Sequence, residues 1–503
     1  MTVLLVPPDV RAHTLDLPLL LGRIAGLEVR TPPPPCLPHL NEPGEVDTLG
    51  EWLLDHAHDA EAAIVSLDTL TLGGLVPARR VATPTEEAVR RLRVLEALRA
   101  HGVLIYAHGT ILRVATGDDP FEEKPYYARF GPMLRTYGEW VDRAERGEPE
   151  ALSHLERVRR EIPQAVLVDY LATRARSRAI HLAALDLLGR GVLHRLHLTV
   201  DDTSPYGLAV VDRRRIQARI ASLDLTGRAF VYPGADEAPC TLLARFLLER
   251  AARHVRVALD WSAAGAERAL LRYEDEPLGA LVRSHLEAIG LEIARQEPDL
   301  WVAVNAPGRA QQEAVHQPDP EWVETPDRDL TAFVGRIHER LHRGERCAVL
   351  DVAYANGADD RFVRLLLRED PSRLTAYAGW NTAGNTIGSG LALAVAAVLG
   401  RDPNARLEAL CVRLADDWLY QAHVRQEVQR TLGDPDPYDL GPLWDRAEAE
   451  VAARLTPQIE TLWRTHFAAS APHLALVIER IELPWPRLHG VRIRLRLVPQ
   501  DGP

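Results

Sequence analysis

The sequence predicts an α/β protein whose core is a (β/α)8 barrel, and two observations lead to this fold class. Eight short runs are apolar throughout instead of alternating, which is typical of parallel strands buried on both faces. Helical patterns such as "TEEAVRRLRVLEALRAHG" lie between these runs, so strands and helices alternate along the chain. A doubly wound open sheet would show the same alternation and is the alternative fold.

The eight predicted strands divide the chain into four regions. They lie in the segments 3–11, 27–34, 62–75, 102–113, 193–202, 228–237, 346–360 and 374–385. Residues 1–240 are predicted to hold the first six βα units of the barrel, and residues 346–400 the last two. Residues 241–345 have helices and strands of their own, so we expect an inserted α/β lobe between strands six and seven. Residues 401–503 are predicted to form a helical C-terminal region with a terminal strand, "HGVRIRLRLVP".

Composition and charge exclude several classes of function. The chain has 503 residues and a net charge of -12, which argues against a nucleic-acid or anionic-membrane partner. Its 4 cysteines contain no CxxC pair, which disfavours disulfide frameworks and zinc knuckles and fits a reducing compartment. The N-terminus lacks the basic region of a signal peptide, and no apolar run reaches the ~18 to 20 residues of a membrane span. We therefore predict a cytoplasmic protein with no membrane partner, and the sequence indicates no oligomeric state.

Polar side chains recur at the C-terminal ends of the predicted strands. In both candidate folds these ends face the ligand site. A single Asp at a strand end is usually a turn residue or a helix cap, but a repeated pattern predicts one polar pocket. The residues expected in its wall are Asp9, Arg11, Asp68, Arg113, Asp201, Asp202, Asp236, Glu237, Asn356, Asp359, Trp380, Asn381 and Asn385.

The segment "VDDTSPYG" gives the sharpest functional prediction. Adjacent strand residues point to opposite faces, so Asp201 and Asp202 cannot both be core caps. Two close carboxylates repel, which raises one pKa and suits a general acid. Glycosidases use carboxyl pairs in this way, and an adjacent pair is compatible with substrate-assisted catalysis by a 2-acetamido group. Tyr206 is then a candidate contact for the acetamido group.

Two further motifs each have a chemical and a structural interpretation. In "YPGADE", Asp236 and Glu237 are predicted to contact substrate, but Glu237 could also begin the next helix at its positive end. In "YANGADD", Asn356, Asp359 and Asp360 could form either a helix cap or part of a hard-cation site. Both interpretations stay open for each motif.

The segment "YAGWNTAGNTIGSG" is predicted to contact a sugar. Trp380 would stack on the sugar face, and Asn381 and Asn385 would hydrogen-bond its hydroxyls. Alternatively, the small residues serve only to let the following helix pack closely. No Walker sequence, Rossmann glycine fingerprint or catalytic-cysteine signature is present, so no cofactor or metal is predicted for the leading hypothesis.

Five ordered motifs together resemble a bacterial family of unknown function, DUF4127. They are "SLDTLTLGGL", "DDTSPYG", "YPGADE", "YANGADD" and "YAGWNTAGNT", and the resemblance extends over nearly the whole chain. The family typically begins P-L-D-x-R-P, whereas this chain has Pro7-Pro8-Asp9-Val10-Arg11-Ala12. Asp9 and Arg11 are kept, so the resemblance implies an intact site with a different local backbone.

A second, local resemblance implies an activity. "VDDTSPYG" looks like the Asp-Asp pair at a strand end in O-GlcNAcase-type N-acetyl-β-hexosaminidases, and "WNTAGN" is loosely similar to their sugar-contacting segment. The resemblance implies that Asp201 orients the acetamido group and that Asp202 is the general acid. The spacing after Trp380 departs from that pattern.

The leading hypothesis is therefore a glycoside hydrolase acting on a small-molecule carbohydrate, an N-acetylhexosaminide. One alternative is a metal-dependent hydrolase or isomerase acting on a polar small molecule, with Asp201, Asp236, Asp359 and Asp360 as ligands. Another is a sugar-binding protein without catalysis, in which the carboxylates only hydrogen-bond hydroxyl groups.

Overall fold

The chain forms two compact units in a computed structural model that describes residues 2–117, 120–294 and 296–500. The first unit holds the chain up to Val10, Glu28–Leu242 and Tyr273–Glu276. The second unit holds Arg11–Leu27, Leu243–Arg272 and the chain from Pro277 onward. Residues 11–27, which connect the first two strands along the chain, thus belong to the second unit.

Strands and helices alternate through most of the described residues, as the sequence predicts. The strands are β1 (Thr2–Val6), β2 (Glu28–Arg30), β3 (Ala60–Ser66), β4 (Leu104–Ile111), β5 (Arg195–Val200), β6 (Ala229–Pro233), β7 (Arg256–Trp261), β8 (Glu292–Ile293), β9 (Leu300–Asn305), β10 (Gln312–Glu313), β11 (Cys347–Asp351), β12 (Tyr354–Ala355), β13 (Ala376–Ala378), β14 (Leu474–Glu482) and β15 (Arg492–Pro499).

Most of the helices are α-helical, and two segments are π-helical. The α-helices are α1 (Leu17–Ala25), α2 (Val46–Asp55), α3 (Leu67–Leu72), α4 (Pro77–Arg80), α5 (Thr85–Arg91), α6 (Arg93–Ala100), α7 (Tyr127–Glu145), α8 (Ala151–Glu161), α9 (Gln164–Gly189), α10 (Leu208–Ser222), α11 (Ala238–Ala251), α12 (Leu278–Ile289), α13 (Leu330–His342), α14 (Asp360–Leu366), α15 (Ala383–Leu399), α16 (Pro403–Arg413), α17 (Arg425–Thr431) and α18 (Trp444–His466). The π-helices are π1 (Ala12–Asp16) and π2 (Leu414–Val424).

The first unit contains a parallel sheet with the strand order β2-β1-β3-β4-β5-β6. Its central strands are apolar because both faces are covered, and β1 reads "TVLLV" with every residue buried. The register aligns the strand ends, since Val200 of β5 lies opposite Ile111 of β4 and Pro233 of β6. The residues directly after these three strands therefore lie side by side at the C-terminal ends of the strands.

The second unit contains a parallel sheet with the order β13-β11-β9-β7-β8. If the strands of each sheet are numbered by their order along the chain, both sheets have the spatial order 2-1-3-4-5. The first sheet has a sixth strand after the fifth. This order is that of doubly wound folds, in which the direction of the crossovers reverses between the first and third strands. The second unit also carries the antiparallel pair β14 and β15, of which β15 covers the predicted terminal strand.

The strand pairing corrects the prediction of a single (β/α)8 barrel. Each of the eight predicted segments contains a strand, but six of those strands lie in one sheet and β11 and β13 lie in another. Those two pair with strands of residues 241–345, because β11 lies beside β9. The predicted inserted lobe and the segment 346–400 therefore build one sheet. Each sheet has two edge strands, so the open-sheet alternative describes both units.

Each unit has its own apolar core. In the first unit the strands pack against the helices through residues such as Leu95, Ile180 and Ile216. In the second unit the core continues from the sheet into the C-terminal helices, and it includes Phe333, Leu455 and Trp463. Within residues 2–117, 120–294 and 296–500, no helix combines the length and apolar character needed to cross a bilayer.

Candidate active site

The adjacent aspartates Asp201 and Asp202 come directly after β5, as the sequence predicts. β5 ends at Val200, and the backbone of Asp201 donates a hydrogen bond to the Ile111 carbonyl at 3.3 Å. Asp202 has a φ of 34°, in the left-handed region that a side chain with a Cβ rarely adopts. Such a conformation costs on the order of 1–3 kcal/mol and recurs at functional sites. The loop thus holds the pair in one strained geometry.

Each aspartate of this pair is held by a different arginine. Asp201 Oδ2 accepts a hydrogen bond from Arg79 Nη2 at 2.5 Å, and Asp202 Oδ2 accepts one from Arg113 Nη1 at 3.1 Å. Among the described residues, Oδ1 of Asp201 and Oδ1 of Asp202 accept no hydrogen bond. Side-chain exposure is 12% for Asp201 and 23% for Asp202. One oxygen of each carboxylate is therefore fixed, and the other remains available to a ligand.

Two glutamates complete this ion-pair cluster. Glu122 Oε2 lies 3.0 Å from Arg79 Nη1 and 2.9 Å from Arg113 Nη2, and Glu123 Oε1 lies 3.1 Å from Arg113 Nε. Burial lowers the pKa of Arg113, but the four surrounding carboxylates outweigh it and raise that pKa well above its usual range. We call Arg79, Arg113, Glu122, Glu123, Asp201 and Asp202 the carboxylate–arginine cluster. Its four carboxyl groups outnumber its two guanidinium groups.

Burial, together with the charges around it, determines the protonation of Asp202. Burial raises the pKa of Asp202 to about 6, and the negative charge of Asp201 adds to this rise. Asp201 lies directly against the Arg79 guanidinium. The two neighbouring carboxyl groups therefore occupy different environments, which is how paired acids divide into a proton donor and an ionised partner.

Asp68 lies two residues after the end of β3, and its side chain connects the ends of β3 and β4. Its Oδ2 accepts a hydrogen bond from the backbone of Thr110 in β4 at 2.9 Å, and the side chain is buried. Burial raises the pKa of Asp68 to about 7, against the opposing effects of Thr110 and Arg79. The turn after α3 depends on Gly73, whose φ is 81° and where an added Cβ would lie 2.5 Å from the Pro43 ring. Asp68 thus lies at the same edge as the cluster and ties β3 to β4.

The long helix α9 positions both arginines of the cluster. Arg174 donates hydrogen bonds to the carbonyls of Leu112, at 2.8 Å, and Arg113, at 3.0 Å, and it pairs with Asp212. Arg176 donates to the carbonyls of Ala78, at 2.8 Å, and Val81, at 2.6 Å, on either side of Arg79. These two helix residues are buried and fix the backbone next to Arg79 and Arg113.

A small cavity in the first unit is lined in part by Arg79 and Arg113. Its volume is about 20 Å³, and its walls include the side chains of Tyr126, Tyr170 and Thr173. This volume holds one water molecule and is far too small for a sugar. The part of the carboxylate–arginine cluster that a larger ligand could reach is therefore the exposed surface of Asp201 and Asp202.

Other predicted residues of the first unit have local partners. The Tyr206 ring lies beneath two guanidinium groups, with Arg143 Cζ 4.0 Å and Arg146 Cζ 4.8 Å from its centroid. Glu237 Oε2 accepts a hydrogen bond from the Ala235 backbone at 2.8 Å, a contact within the turn that precedes α11. The carboxylate of Glu237 folds over Gly234, where an added Cβ would lie 2.1 Å from Oε1.

Asp9 and Asp236 also belong to the first unit and are buried. Arg11, two residues after Asp9 in the chain, belongs to the second unit, where its guanidinium Cζ lies 4.7 Å from the Trp485 ring. The pair Asp9 and Arg11 of the N-terminal motif is therefore divided between the two units.

In the second unit, Asp359 belongs to a closed polar network. Its Oδ1 accepts from the backbone of Phe362 at 3.1 Å and so caps α14, and its Oδ2 accepts from Arg328 and Asn305. Asn305 also donates to Asp351 Oδ1 at 2.8 Å. Because each acceptor oxygen of Asp359 is occupied, the structure favours the cap interpretation of this residue.

Asp360 is also fully occupied. Its Oδ1 accepts from Trp418 Nε1 at 2.9 Å and lies 2.8 Å from His423 Nε2, and its Oδ2 accepts from Arg364 at 2.8 Å. Burial alone would raise the pKa of Asp360, but the hydrogen bonds from His423, Arg364 and Trp418 hold it well below its usual range. The hypothesis of a metal site at Asp359 and Asp360 therefore lacks free ligand atoms at both positions.

Trp380 is stacked within the protein. Its ring packs face to face on His13, with centroids 3.5 Å apart and planes 7° from parallel, and the side chain is buried. Asn381 has a φ of 65°, and its carbonyl accepts from the Asn356 backbone at 2.9 Å. Asn385 lies in the first turn of α15, where its backbone donates to Thr382 Oγ1. The Trp380 ring thus stacks on His13 instead of presenting an open face to a sugar.

The predicted residues therefore fall into two groups. The structure brings Asp201, Asp202 and Arg113 into one cluster of the first unit, with Asp68 at the same sheet edge. Arg11, Asn356, Asp359, Trp380, Asn381 and Asn385 belong to the second unit. Their prediction as the wall of one pocket depends on a single barrel, which the strand pairing corrects.

Sequence reasoning missed functional candidates in both units. In the first unit it missed Arg79 and the glutamates of "FEEK", because charged residues on a short helix and in a loop look solvated. In the second unit it missed a buried group formed by His13, Asp416 and Asp417. A signal existed there, since "LCVRLADDWLY" contains a second adjacent Asp pair in an apolar helical run.

Burial shapes the protonation of this second group. Burial, with the nearby charges of Arg413 and Arg11, holds the pKa of His13 well below its usual range. Burial raises the pKa of Asp416 to about 7 and that of Asp417 well above its usual range, against the effect of Arg413. His13 is therefore a neutral imidazole at neutral pH, beside two carboxyl groups.

The comparisons with known proteins identify a family but no activity. The family model described as "Protein of unknown function (DUF4127)" matches residues 3–494, which confirms the resemblance read from the five motifs. No curated protein and no solved structure matches the chain significantly. The local resemblance to N-acetyl-β-hexosaminidases thus has no support from these comparisons.

Proposed function

The chain belongs to the DUF4127 family, and we propose that it is a glycoside hydrolase acting on N-acetylhexosaminides, with its active site at the carboxylate–arginine cluster. The observation that carries this proposal is the adjacent pair Asp201 and Asp202 in two different environments. Asp201 is an ion-paired carboxylate, and Asp202 has a pKa of about 6 on a strained backbone. This pair provides a proton donor next to a negative charge.

The first proposed step forms an oxazoline-type intermediate. Oδ1 of Asp201 accepts the N–H of the substrate's 2-acetamido group, while Arg79 holds Oδ2. The acetamido oxygen attacks C1 as the bond between C1 and the leaving oxygen breaks. Asp202 donates its proton to the leaving oxygen, and Asp201 takes the N–H proton as the amide nitrogen gains positive charge. This scheme is the substrate-assisted exception to the usual two-carboxylate mechanism.

The second step restores the enzyme. Asp202, now ionised, takes a proton from a water molecule as the water oxygen attacks C1. The bond between C1 and the acetamido oxygen breaks, and Asp201 returns its proton to the nitrogen. In the net reaction, one glycoside and one water molecule give the free sugar and an alcohol. Arg113 stabilises Asp202 in its ionised form between the two steps.

Arg113 and Arg79 also support a second candidate, a sugar-binding protein without catalysis. Ion-paired carboxylates with one free oxygen can hydrogen-bond sugar hydroxyls without any proton transfer. In the leading proposal the substrate is a small carbohydrate in the cytoplasm, and the four cysteines, which are all buried, fit a reducing compartment.

A substrate panel tests the proposal. Purified protein is incubated with fluorogenic β-N-acetylglucosaminide and β-N-acetylgalactosaminide, with the β-glucoside that lacks the acetamido group as a matched control, and with and without EDTA. We expect EDTA-resistant turnover of an acetamido sugar, none of the glucoside, and inhibition by a thiazoline analogue of the intermediate. Binding of the sugars without turnover would favour the second candidate, and turnover that needs a metal would contradict the proposed mechanism.

A further inference from the structure

We propose that His13, Asp416 and Asp417 of the second unit form a binding site for one divalent transition-metal ion. One side-chain ligand atom from each residue lies within 4.8 Å of the other two, and all three side chains are buried. An imidazole and two carboxyl groups, which lose their protons when the cation binds, are a common ligand set for such ions. The inference is independent of the activity proposed for the first unit.

Both π-helices of the described chain supply this group. His13 lies in π1, and Asp416 and Asp417 lie in π2, which extends over 11 residues. The π-helix is rare, occurs mostly as a single turn inside an α-helix, and is frequently found at functional sites. Adjacent residues on a regular helix do not face each other, yet Asp416 and Asp417 bring ligand atoms within 4.8 Å of each other and of His13.

Other contacts hold the three side chains in place. Trp380 stacks on His13 and fixes the plane of its ring. Gln421 Nε2 donates to Asp416 Oδ1 at 3.1 Å, and the backbone of Gly379 donates to Asp417 Oδ2 at 2.6 Å. Hydrogen bonds to the remaining atoms of the ligands are typical of the surroundings of metal sites, where they orient the ligands.

One buried atom indicates that a ligand is expected here. Asp417 has no exposed side-chain surface, and in the described part of the chain its Oδ1 has no hydrogen-bond partner. A buried carboxylate oxygen without a partner is unfavourable, because it has lost its hydrogen bonds to water and gained none in the protein. A cation between the three side chains would satisfy it.

The distances are close to those of a metal site. His13 Nε2 and Asp416 Oδ2 are 3.6 Å apart, too far for a good hydrogen bond. If each ligand atom lies about 2.1 Å from a tetrahedrally coordinated ion, two ligand atoms are about 3.4 Å from each other. The ligand atoms would move by about 1 Å or less to close on an ion, since the widest separation allowed by the group is 4.8 Å.

Arg413 is compatible with this site. Its Nη2 lies 2.8 Å from Asp417 Oδ2, which leaves Oδ1 for the ion. When both aspartates are ionised, Arg413 balances only one of the two negative charges. A divalent ion balances the second and leaves one positive charge, which favours an anionic ligand such as hydroxide in an open coordination position. The imidazole favours Zn²⁺, and the two carboxylates are ligands that also suit Mn²⁺, whereas Mg²⁺ and Ca²⁺ prefer sites built from oxygen ligands alone.

Calorimetric titration of the full-length protein tests this site. The protein is treated with EDTA, dialysed and titrated with ZnCl₂, MnCl₂, MgCl₂ and CaCl₂ in separate experiments. We expect one equivalent of Zn²⁺ or Mn²⁺ to bind, with Mg²⁺ and Ca²⁺ weaker, and a higher melting temperature with the bound ion. Asp416→Asn and His13→Gln should each weaken binding by about 100-fold or more.

Asp360→Asn is the matched control, because Asp360 also contacts a histidine in the same unit but has no free oxygen. It should bind the metal as the wild type does. Circular dichroism identifies any variant that fails to fold, and hydrogen exchange with and without Zn²⁺ in the wild type should show protection at residues 11–16 and 413–424. The proposal is overturned if no metal binds, if both ligand variants bind as the wild type does, or if only Asp360→Asn loses the ion.

Discussion

At the scale of single residues, the protonation of Asp202 decides what the carboxylate–arginine cluster can do. A general acid must carry its proton, and the pKa of Asp202 is about 6. We therefore expect kcat/KM on an N-acetylhexosaminide to fall as the pH rises through about 6. The measurement is a pH profile for the wild type and for Asp202→Asn. If kcat/KM of the variant falls above about pH 6 as it does in the wild type, another group causes that fall and not Asp202.

Asp68 gives a residue-scale prediction about stability. Its pKa is about 7 in the folded protein and near 4 in an unfolded chain, so the folded state binds the proton more tightly. Its contribution to stability is complete below about pH 4 and is lost as the pH rises through about 7, on the order of 1 kcal/mol per pH unit. Asp68→Asn keeps an acceptor for Thr110 but carries no charge. We expect its urea-unfolding midpoint to fall less than that of the wild type between pH 5 and pH 8.

A surface variant controls for general charge effects in this experiment. Asp47 lies on α2 and is exposed, so Asp47→Asn should show the wild-type difference between pH 5 and pH 8. Equal pH dependence in all three proteins would mean that Asp68 does not keep its proton in the folded state.

At the scale of elements, α9 positions the site and the ends of β4 and β5 present it. Arg174 is 3% exposed and contacts Asp212 and two carbonyls, whereas Arg178 is 27% exposed and contacts only the other oxygen of Asp212. We expect Arg174→Ala to lower the free energy of unfolding by about 3–5 kcal/mol, because it removes the buried positive charge that pairs with the carboxylate of Asp212. Arg178→Ala should cost less than about 1 kcal/mol. Chemical denaturation measures both, and equal losses would contradict the positioning role of Arg174.

The elements themselves are largely predictable from the sequence, and their pairing is not. The runs "RLHLTV" and "CAVLD" are apolar because parallel strands are covered on both faces, and both are strands. Nothing in such a run records which neighbour it pairs with. The sequences of β7 and β9 look like those of any other buried strands. The pattern alone therefore permits a barrel of eight strands, with β7 and β9 in an inserted lobe. Pairing is decided by contacts between residues that are distant in sequence.

The same distinction holds for the site. Asp201 and Asp202 are predictable because two acids after an apolar strand stand out from their surroundings. Arg79 is not, since the reason for its position is a hydrogen bond to Asp201, 122 residues away in sequence. Trp380 is ambiguous in the sequence, because an aromatic residue among glycines and asparagines is typical of both a sugar contact and a packed turn.

At the scale of the whole molecule, two units repeat one strand order and differ in the polar groups beyond their strand ends. The first unit has the carboxylate–arginine cluster after β4 and β5. In the second unit a satisfied network lies at the C-terminal ends of β9 and β11, and the π-helices bring together His13, Asp416 and Asp417. Ligands of open α/β sheets bind beyond the carboxyl ends of the strands. We therefore propose hydrolysis in the first unit and metal binding in the second.

The most direct test of the proposed hydrolysis compares leaving groups in two variants. For wild type, Asp202→Asn and Asp201→Asn, kcat/KM is measured on a dinitrophenyl and on an alkyl N-acetylglucosaminide. We expect Asp202→Asn to lose about 100- to 10,000-fold on the alkyl glycoside and little on the dinitrophenyl glycoside, whose leaving group needs no proton. Asp201→Asn should lose activity on both. An Asp202→Asn variant that hydrolyses the alkyl glycoside at the wild-type rate would contradict the assignment of Asp202 as the general acid.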